Sequence, residues 1–531
     1  MKTCGEVLVE LLEAHGIDTV FGIPGVHTVE LYRGLPNTGL RHITPRHEQG
    51  AGFMADGYAR ASGRVAACFI ITGPGLTNIT TALGQAYADS VPILVISSVN
   101  NTRELGLAEG RLHELPSQRN LMAGVTAFSH TLLRPDELPE VLARAFAVFN
   151  AARPRPVHIE LPLDVITAPA DHLSRRAAAA VCRPGPAPDG ISQAAALLRR
   201  ARRPLIVLGG GAQGAAPEAR ALVDRLGALA VTTINGKGVL PADHPLSLGS
   251  TLPQAPVLEA LSEADVVLAV GTELGETDTL LFEGRLALNG KLIRIDIDPE
   301  QLFRNAPPEV AIVSDAGLAM AALTRALEGH QPEPATAHAQ ALRQRLEGLL
   351  DPRQRLHQRF MSTLQQALPG VIVAGDSTQP VYSANLFYQP EQPRSYFNSS
   401  TGYGTLGYAL PAALGAKLAK PERPVVALIG DGGLQFTVGE LATAVELQLA
   451  VPILLWNNRG YGEIKRYMAD RGIPQIGVDI YTPDFQTIAR GFGCQTLLAE
   501  SPEHLAEALV QAHRASGPTV IEIDEAKALN W

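Results

Sequence analysis

Three stretches of the chain obey one pattern. Short unbroken runs of branched aliphatic residues end in glycine-rich turns, and segments with apolar positions at helical spacing follow. The first stretch, residues 1–168, carries such runs at 68–72 and 93–97 and a helical pattern at 49–60. The second, 188–330, carries runs at 204–209, 264–270 and 292–296. The third, 355–531, carries them at 371–374, 425–429, 452–456 and 520–523. A strand covered on both faces reads as a continuous apolar run rather than as an alternation. Strands that alternate with helices predict an α/β chain of three doubly wound domains with mainly parallel sheets. The joins fall at 167–188, with four consecutive alanines, Arg-Arg and Pro-Gly-Pro-Ala-Pro, and at 329–340, where prolines, alanines and polar residues crowd together. Both read as exposed linkers.

Composition narrows the function classes. With 46% hydrophobic and 18% charged residues among 531, the chain has ample material for several cores and does not read as disordered. A formal net charge of −9 offers no general attraction to nucleic acid, so no nucleic-acid partner is expected. Cys4, Cys68, Cys182 and Cys494 have neither metal-ligand nor redox spacing, which points to a reducing compartment and no disulfide framework. Near the start, Val7, Leu8, Leu11 and Leu12 share one helical face, unlike a signal peptide. No apolar run reaches the roughly 18 residues of a membrane span. The expectation is a cytoplasmic protein with no membrane partner.

The chemistry concentrates in the third stretch. A buried run ends in Gly430-Asp431-Gly432-Gly433, a helical pattern follows at 437–447, and a second buried run delivers Asn457-Asn458-Arg459-Gly460. Asp431 and Asn458 stand 27 positions apart (458 − 431), and strand–helix–strand puts both at carboxyl ends of neighbouring parallel strands, where open α/β sheets bind ligands. Magnesium takes hard oxygens in an octahedron. Asp431 offers a carboxylate, Asn458 an amide oxygen and Gly460 a carbonyl, leaving positions for a diphosphate and water. Gly432 and Gly433 allow backbone N–H groups to approach phosphate.

This signature resembles that of the thiamine-diphosphate enzymes, and the resemblance spans essentially the whole chain: a pyrimidine-binding domain, a middle domain and a diphosphate-binding domain. It implies thiamine diphosphate and Mg2+ as cofactors, with Asp431, Asn458 and the Gly460 carbonyl as metal ligands. Asp376-Ser377-Thr378-Gln379 resembles the loop that also touches the diphosphate, so Thr378 and Gln379 join the cofactor-binding set. In Gly402–Pro411, Leu406 would support the folded cofactor, and the Gly404 carbonyl would accept from its 4′-amino group. Arg46-His47-Glu48-Gln49-Gly50-Ala51 stands in the family's order with Gly22-Ile-Pro24-Gly25, Ala55–Arg60 and the 72–78 turn ending in Asn78. The resemblance makes Glu48 the acid that protonates N1′ of the aminopyrimidine, with Pro24 and Asn78 near the cofactor. Deprotonation at C2 then gives the ylide that attacks a 2-oxo acid, and the cofactor accepts the electron pair as carbon dioxide leaves. It also implies a homodimer as the minimum active unit, and a homotetramer.

Within the family the first domain is most similar to the acetolactate synthase large subunit, which joins two 2-oxo acids and binds FAD. Val207–Ala212 keeps a glycine-rich turn, but 271–278 and 241–256 depart from the FAD-binding pattern, which weighs against FAD. Glu463 and Tyr467 stand where the synthase carries Met and Trp. A carboxylate facing the reacting carbon needs a partner to offset its desolvation, and a cationic substrate tail would be one. Otherwise Glu463 points to solvent or bridges to Lys465, Arg466 or Arg459. A second role is proton donation to the reacting carbon. Guanidinium pairs well with carboxylate, and the combination resembles the decarboxylases of 5-guanidino-2-oxopentanoate. Gln118 matches a pocket glutamine of the synthase-like branch. His27 and His113 are further catalytic candidates, or ordinary surface or core histidines. The alternatives are acetolactate synthase itself, a cofactor-binding regulator, and a dehydrogenase suggested by Gly209-Gly-Gly, which lacks the dinucleotide spacing.

Overall fold

The computed structural model describes residues 1–282 and 284–531. These form two compact units, one of Met1–Cys182, Gly402–Leu498 and Gln511–Glu522, the other of Arg183–Thr401, Ala499–Val510 and Ile523–Trp531. The third stretch of the sequence thus contributes to both.

The first sheet lies in the first unit. Its strands are β1 (Thr19–Gly22), β2 (Arg41–Ile43), β3 (Ala66–Ile70), β4 (Ile93–Val99), β5 (Phe128–Thr131) and β6 (Val157–Pro162), ordered β2-β1-β3-β4-β6-β5 and all parallel. Every residue of β1, β3, β4 and β6 is buried; β3 and β4 are the two that read as apolar runs, whereas His158 and Glu160 interrupt β6. The order turns back between β1 and β3, so a crevice opens at the carboxyl ends of those strands. The helix Cys4–Ala14 starts with a Thr3–Glu6 capping box and buries Val7, Leu8, Leu11 and Leu12. Side chains of this kind stabilise by roughly 1.5–3 kcal/mol each when fully buried.

The second sheet lies in the second unit: β7 (Pro204–Leu208), β8 (Leu229–Thr232), β9 (Val266–Val270), β10 (Lys291–Asp296) and β11 (Val310–Val313), in the parallel order β11-β10-β9-β7-β8. The turns after β7 and β9 come so close that a methyl on Gly209 would lie 2.1 Å from the Gly271 carbonyl oxygen. That approach accounts for the glycine at 209 by packing alone.

The third stretch supplies β12 (Ile372–Gly375) and β13 (Tyr396–Asn398), a parallel pair in the second unit. It also supplies β14 (Val425–Gly430) and β15 (Pro452–Asn457), a parallel pair in the first unit, then β16 (Gln495–Leu498) and β17 (Thr519–Asp524), also parallel.

Three boundaries differ from the sequence reading. The run at 68–72 forms a strand two residues earlier, because Ile71 and Thr72 already belong to the turn before the helix Pro74–Ala88. The helix expected at 437–447 is Glu440–Glu446, and a separate helix not expected from the sequence, Asp431–Thr437, precedes it across Val438-Gly439, where glycine weakens helical continuity. The linker at 329–340 ends early, because Thr336–Gly348 is helical and buries Ala339 and Leu342. No helix among the described residues is long and apolar enough to cross a membrane.

Candidate active site

Glu48 is the first residue of the helix Glu48–Ser62, reached by a short turn from β2. The His47 imidazole caps this helix by accepting from the Gln49 N–H at 3.1 Å. A carboxylate in a first helical turn gains from the unpaired N–H groups there. Its Oε2 accepts from Asn78 Nδ2 at 2.9 Å, and Oε1 lies against Gly75, where a methyl would come within 3.1 Å. Glu48, Asn78 and the 73–75 turn are therefore one cluster at the carboxyl end of the first sheet. Pro24 is exposed in the turn after β1, at the same end.

His27 and His113 meet edge to face, with ring centroids 5.1 Å apart and planes at 84°. His113 adopts a left-handed backbone at φ 62° and packs on Gly73. Nδ1 of each ring is shielded from solvent and makes no hydrogen bond within the chain. Burial, and then the neighbouring His113, holds His27 below the usual histidine range. Two histidines weighed separately in the sequence thus form a pair beside the turn that carries Glu48's neighbours.

Gln118 is buried with both ends of its amide engaged. Its Oε1 accepts from Thr72 Oγ1 at 2.7 Å, and Nε2 donates to the Ser98 carbonyl at 2.7 Å. Beneath it His158 bonds Ser97 at 2.8 Å and Ser129 at 2.7 Å, and burial pushes this imidazole down to about 3. The geometry joins Gln118 to the sheet interior and to Thr72.

The second cluster sits at the carboxyl ends of β14 and β15. Asp431 follows β14 and is 1% exposed. Burial pushes its carboxyl up, opposed by backbone N–H groups including those of Asn458, Gly432 and Gly460. Gly432 and Gly433 are buried beside it. Asn458 is half-buried, and the loop that carries it is shaped by Asn457, whose role the sequence reading missed. Asn457 Nδ2 donates to Glu522 Oε1 at 2.8 Å, and its Oδ1 accepts from the Arg459 N–H at 3.2 Å. Gln486 braces Glu522 at 3.1 Å. Arg459 is left-handed at φ 62°, and Gly460 follows at φ 157°, where a methyl would lie 2.4 Å from the Val478 carbonyl oxygen. The pairing of asparagines was the available signal, but only its second member had been given a task.

These residues fit a magnesium ion that carries a diphosphate. Among the described residues no group of three His, Cys, Asp or Glu could hold a metal. One buried carboxylate, an amide oxygen and a carbonyl suit a cation that keeps waters and binds ligand phosphates rather than an all-protein cage.

The segment 402–408 lies in the same unit. Gly404 is exposed at φ 76°, and Leu406 is half-buried rather than a core residue. Thr405 is held through its Oγ1, which donates to Gln85 Oε1 at 3.0 Å. Gln85 in turn donates to Asp89 at 2.6 Å, and Arg60 bridges Asp89 at 2.7 Å and Asp56 at 2.6 Å. Tyr408 bonds Asp56 as well. In the second unit, Asp376, Thr378 and Gln379 are all buried at the end of β12. Thr378 is the N-cap and Gln379 the first residue of the helix Gln379–Phe387.

Glu463 has a different setting. It lies on the helix Gly462–Asp470, which buries none of its side chains. Its Oε1 accepts from Arg466 at 2.6 Å, one of the pairings the sequence left open. Tyr467 is 51% exposed and stacks under the Arg471 guanidinium.

Comparison with known proteins matches three family descriptions. They are the N-terminal TPP binding domain of thiamine pyrophosphate enzymes over residues 2–122, the central domain over 191–323 and the C-terminal TPP binding domain over 376–523. A Pseudomonas aeruginosa protein named probable 2-ketoarginine decarboxylase is 48% identical over 99% of this chain and 94% of its own length. A probable acetolactate synthase large subunit of Methanocaldococcus jannaschii is 33% identical over 99% and 92%. The acetolactate synthase isozyme 1 large subunit of Escherichia coli is 32% identical over 98% and 93%.

Proposed function

The chain belongs to the thiamine pyrophosphate enzyme family, and from that premise we propose that it decarboxylates a 2-oxo acid without oxidation, releasing an aldehyde and carbon dioxide. We propose 5-guanidino-2-oxopentanoate as the substrate and 4-guanidinobutanal as the product. The reading is supported above all by the 48% identity, along nearly the whole chain, to a probable 2-ketoarginine decarboxylase. Glu463, a carboxylate just beyond the metal loop, is consistent with a cationic tail.

Thiamine diphosphate, when bound, supplies the sink for the electron pair left as carbon dioxide departs. The residues of the chain hold and aim it. Asp431, Asn458 and the Gly460 carbonyl would hold Mg2+, with Gly432, Gly433, Thr378 and Gln379 near the diphosphate. Glu48 would hold a proton at N1′ of the aminopyrimidine, with Asn78 fixing its carboxylate and Pro24 beside it. The Gly404 carbonyl would accept from the 4′-amino group, and Leu406 would support the ring from below. His27 and His113 would be the imidazoles that hold a proton for the product. Gln118, engaged at both ends, positions the Thr72 turn. A homodimer or homotetramer is the expected working form.

The test is a product assay on the purified protein with thiamine diphosphate and magnesium, comparing 5-guanidino-2-oxopentanoate with pyruvate. Aldehyde and carbon dioxide from the guanidino acid alone are expected. Acetolactate from pyruvate would overturn the reading in favour of the synthase relatives.

A further inference from the structure

Glu440 has no part in the chemistry assigned above, yet it is 1% exposed and surrounded by donors. Its Oε1 accepts from the backbone N–H of Arg46 at 3.0 Å and of His47 at 3.1 Å, and Oε2 lies 3.2 Å from the same Arg46 nitrogen. Thr443 Oγ1 adds a fourth contact at 2.7 Å. The Arg46 guanidinium pairs with Glu446 on the same helix, so Glu440–Glu446 grips this residue by backbone and side chain together. A methyl on Gly50 would lie 2.1 Å from Glu440 Oε1, so the carboxylate fills the space that glycine leaves in the first turn of Glu48's helix.

We propose that Glu440 is a positioning residue for Glu48, fixing the 46–48 backbone so that the activating carboxylate is presented in one orientation. A buried carboxylate is tolerated only when donors surround it, and buried N–H groups need acceptors. Each requirement here is met by the other. Hydrogen bonds to a charged group are the stronger kind, so the turn is held more firmly than a neutral acceptor would hold it. Glu48 follows directly, and its side-chain direction is inherited from that backbone. The inference rests on the reading of Glu48 as the acid that activates the cofactor.

Two variants of the full-length protein test it, Glu440→Gln and Gly50→Ala. The first removes the charge; the second displaces the carboxylate and leaves Glu440 in place. In both, deuterium exchange at the cofactor's C2 position, measured with saturating thiamine diphosphate and magnesium, is expected to slow about tenfold. In the cofactor-free protein, amide exchange is expected to rise in the peptide spanning residues 44–50 and not elsewhere. KM for the 2-oxo acid stays near the parent value, which a general loosening of the fold would not give. Parent rates of C2 exchange in both variants overturn the proposal. Glu48→Gln run alongside separates the two claims: if it also exchanges at the parent rate, the assignment of the acid itself has failed. If Glu440→Gln does not fold, Gly50→Ala alone decides.

Discussion

Two carboxylates carry the functional reading, and the protein treats them in opposite ways. Glu48 opens a helix, is bonded by Asn78 and follows a turn gripped by Glu440. Glu463 sits on a helix without a buried side chain and shares an exposed pairing with Arg466. An acid that must protonate one ring nitrogen gains from a fixed geometry. A carboxylate that meets the far end of a flexible cation gains more from reach. The difference predicts which substitutions remove chemistry and which alter selectivity.

The largest effect belongs to Glu48→Gln. Turnover should fall by about a thousandfold, within the range that general acid–base groups supply, and thiamine diphosphate should remain bound. Steady-state rates together with cofactor content in the purified variant check this. Loss of turnover accompanied by loss of cofactor would mean that Glu48 anchors rather than activates. The contrast with Glu463 would then be one of stability, not of mechanism.

The parts of this contrast that the sequence exposed are the local ones. Strands buried on both faces were readable because apolar runs need no partner to be recognised, and the placement of Asp431 and Asn458 at the ends of neighbouring strands was readable because a strand–helix–strand unit fixes their spacing. Glu440 was not readable, since its contacts with Arg46 and His47 cross 394 and 393 positions and no periodicity reports them. The His27–His113 pairing was hidden for the same reason. The helix break at Val438-Gly439 was legible in principle from its glycine, but the apolar pattern ran across it. Gln118 was picked out by its place in the chain, while its bonds to Thr72 and Ser98 left no mark in the sequence.

The histidine pair gives an intermediate test on the ordered side of the comparison. Burial and His113 hold His27 below the usual range, so its neutral form persists into mildly acidic solution. Activity that needs neutral His27 is full above the depressed value and is lost as pH falls through it. His113→Gln removes one of the two causes and lets the His27 value rise. The acid limb of kcat/KM should therefore move to higher pH. A limb that stays in place would separate His27 from the reaction.

Glu463→Gln should act on selectivity. A charge-assisted pair contributes more than a neutral one, so kcat/KM for the guanidino acid should fall about tenfold. A neutral 2-oxo acid of similar length should be affected less than about twofold. Equal losses on both substrates would place Glu463 in the general chemistry, and the contrast with Glu48 would collapse.

Arg466→Ala makes the finest distinction. In the chain alone Arg466 occupies the Glu463 carboxylate, so a cationic substrate must compete with it. Pairings between exposed side chains are weak, because water screens them and two flexible chains must be ordered to make them. Removing the competitor should therefore lower KM for the guanidino acid by only about two- to fivefold, with kcat unchanged. A neutral substrate should not respond. If KM instead rises, Arg466 is aligning Glu463 rather than competing for it, and the Glu463 carboxylate is as deliberately positioned as that of Glu48.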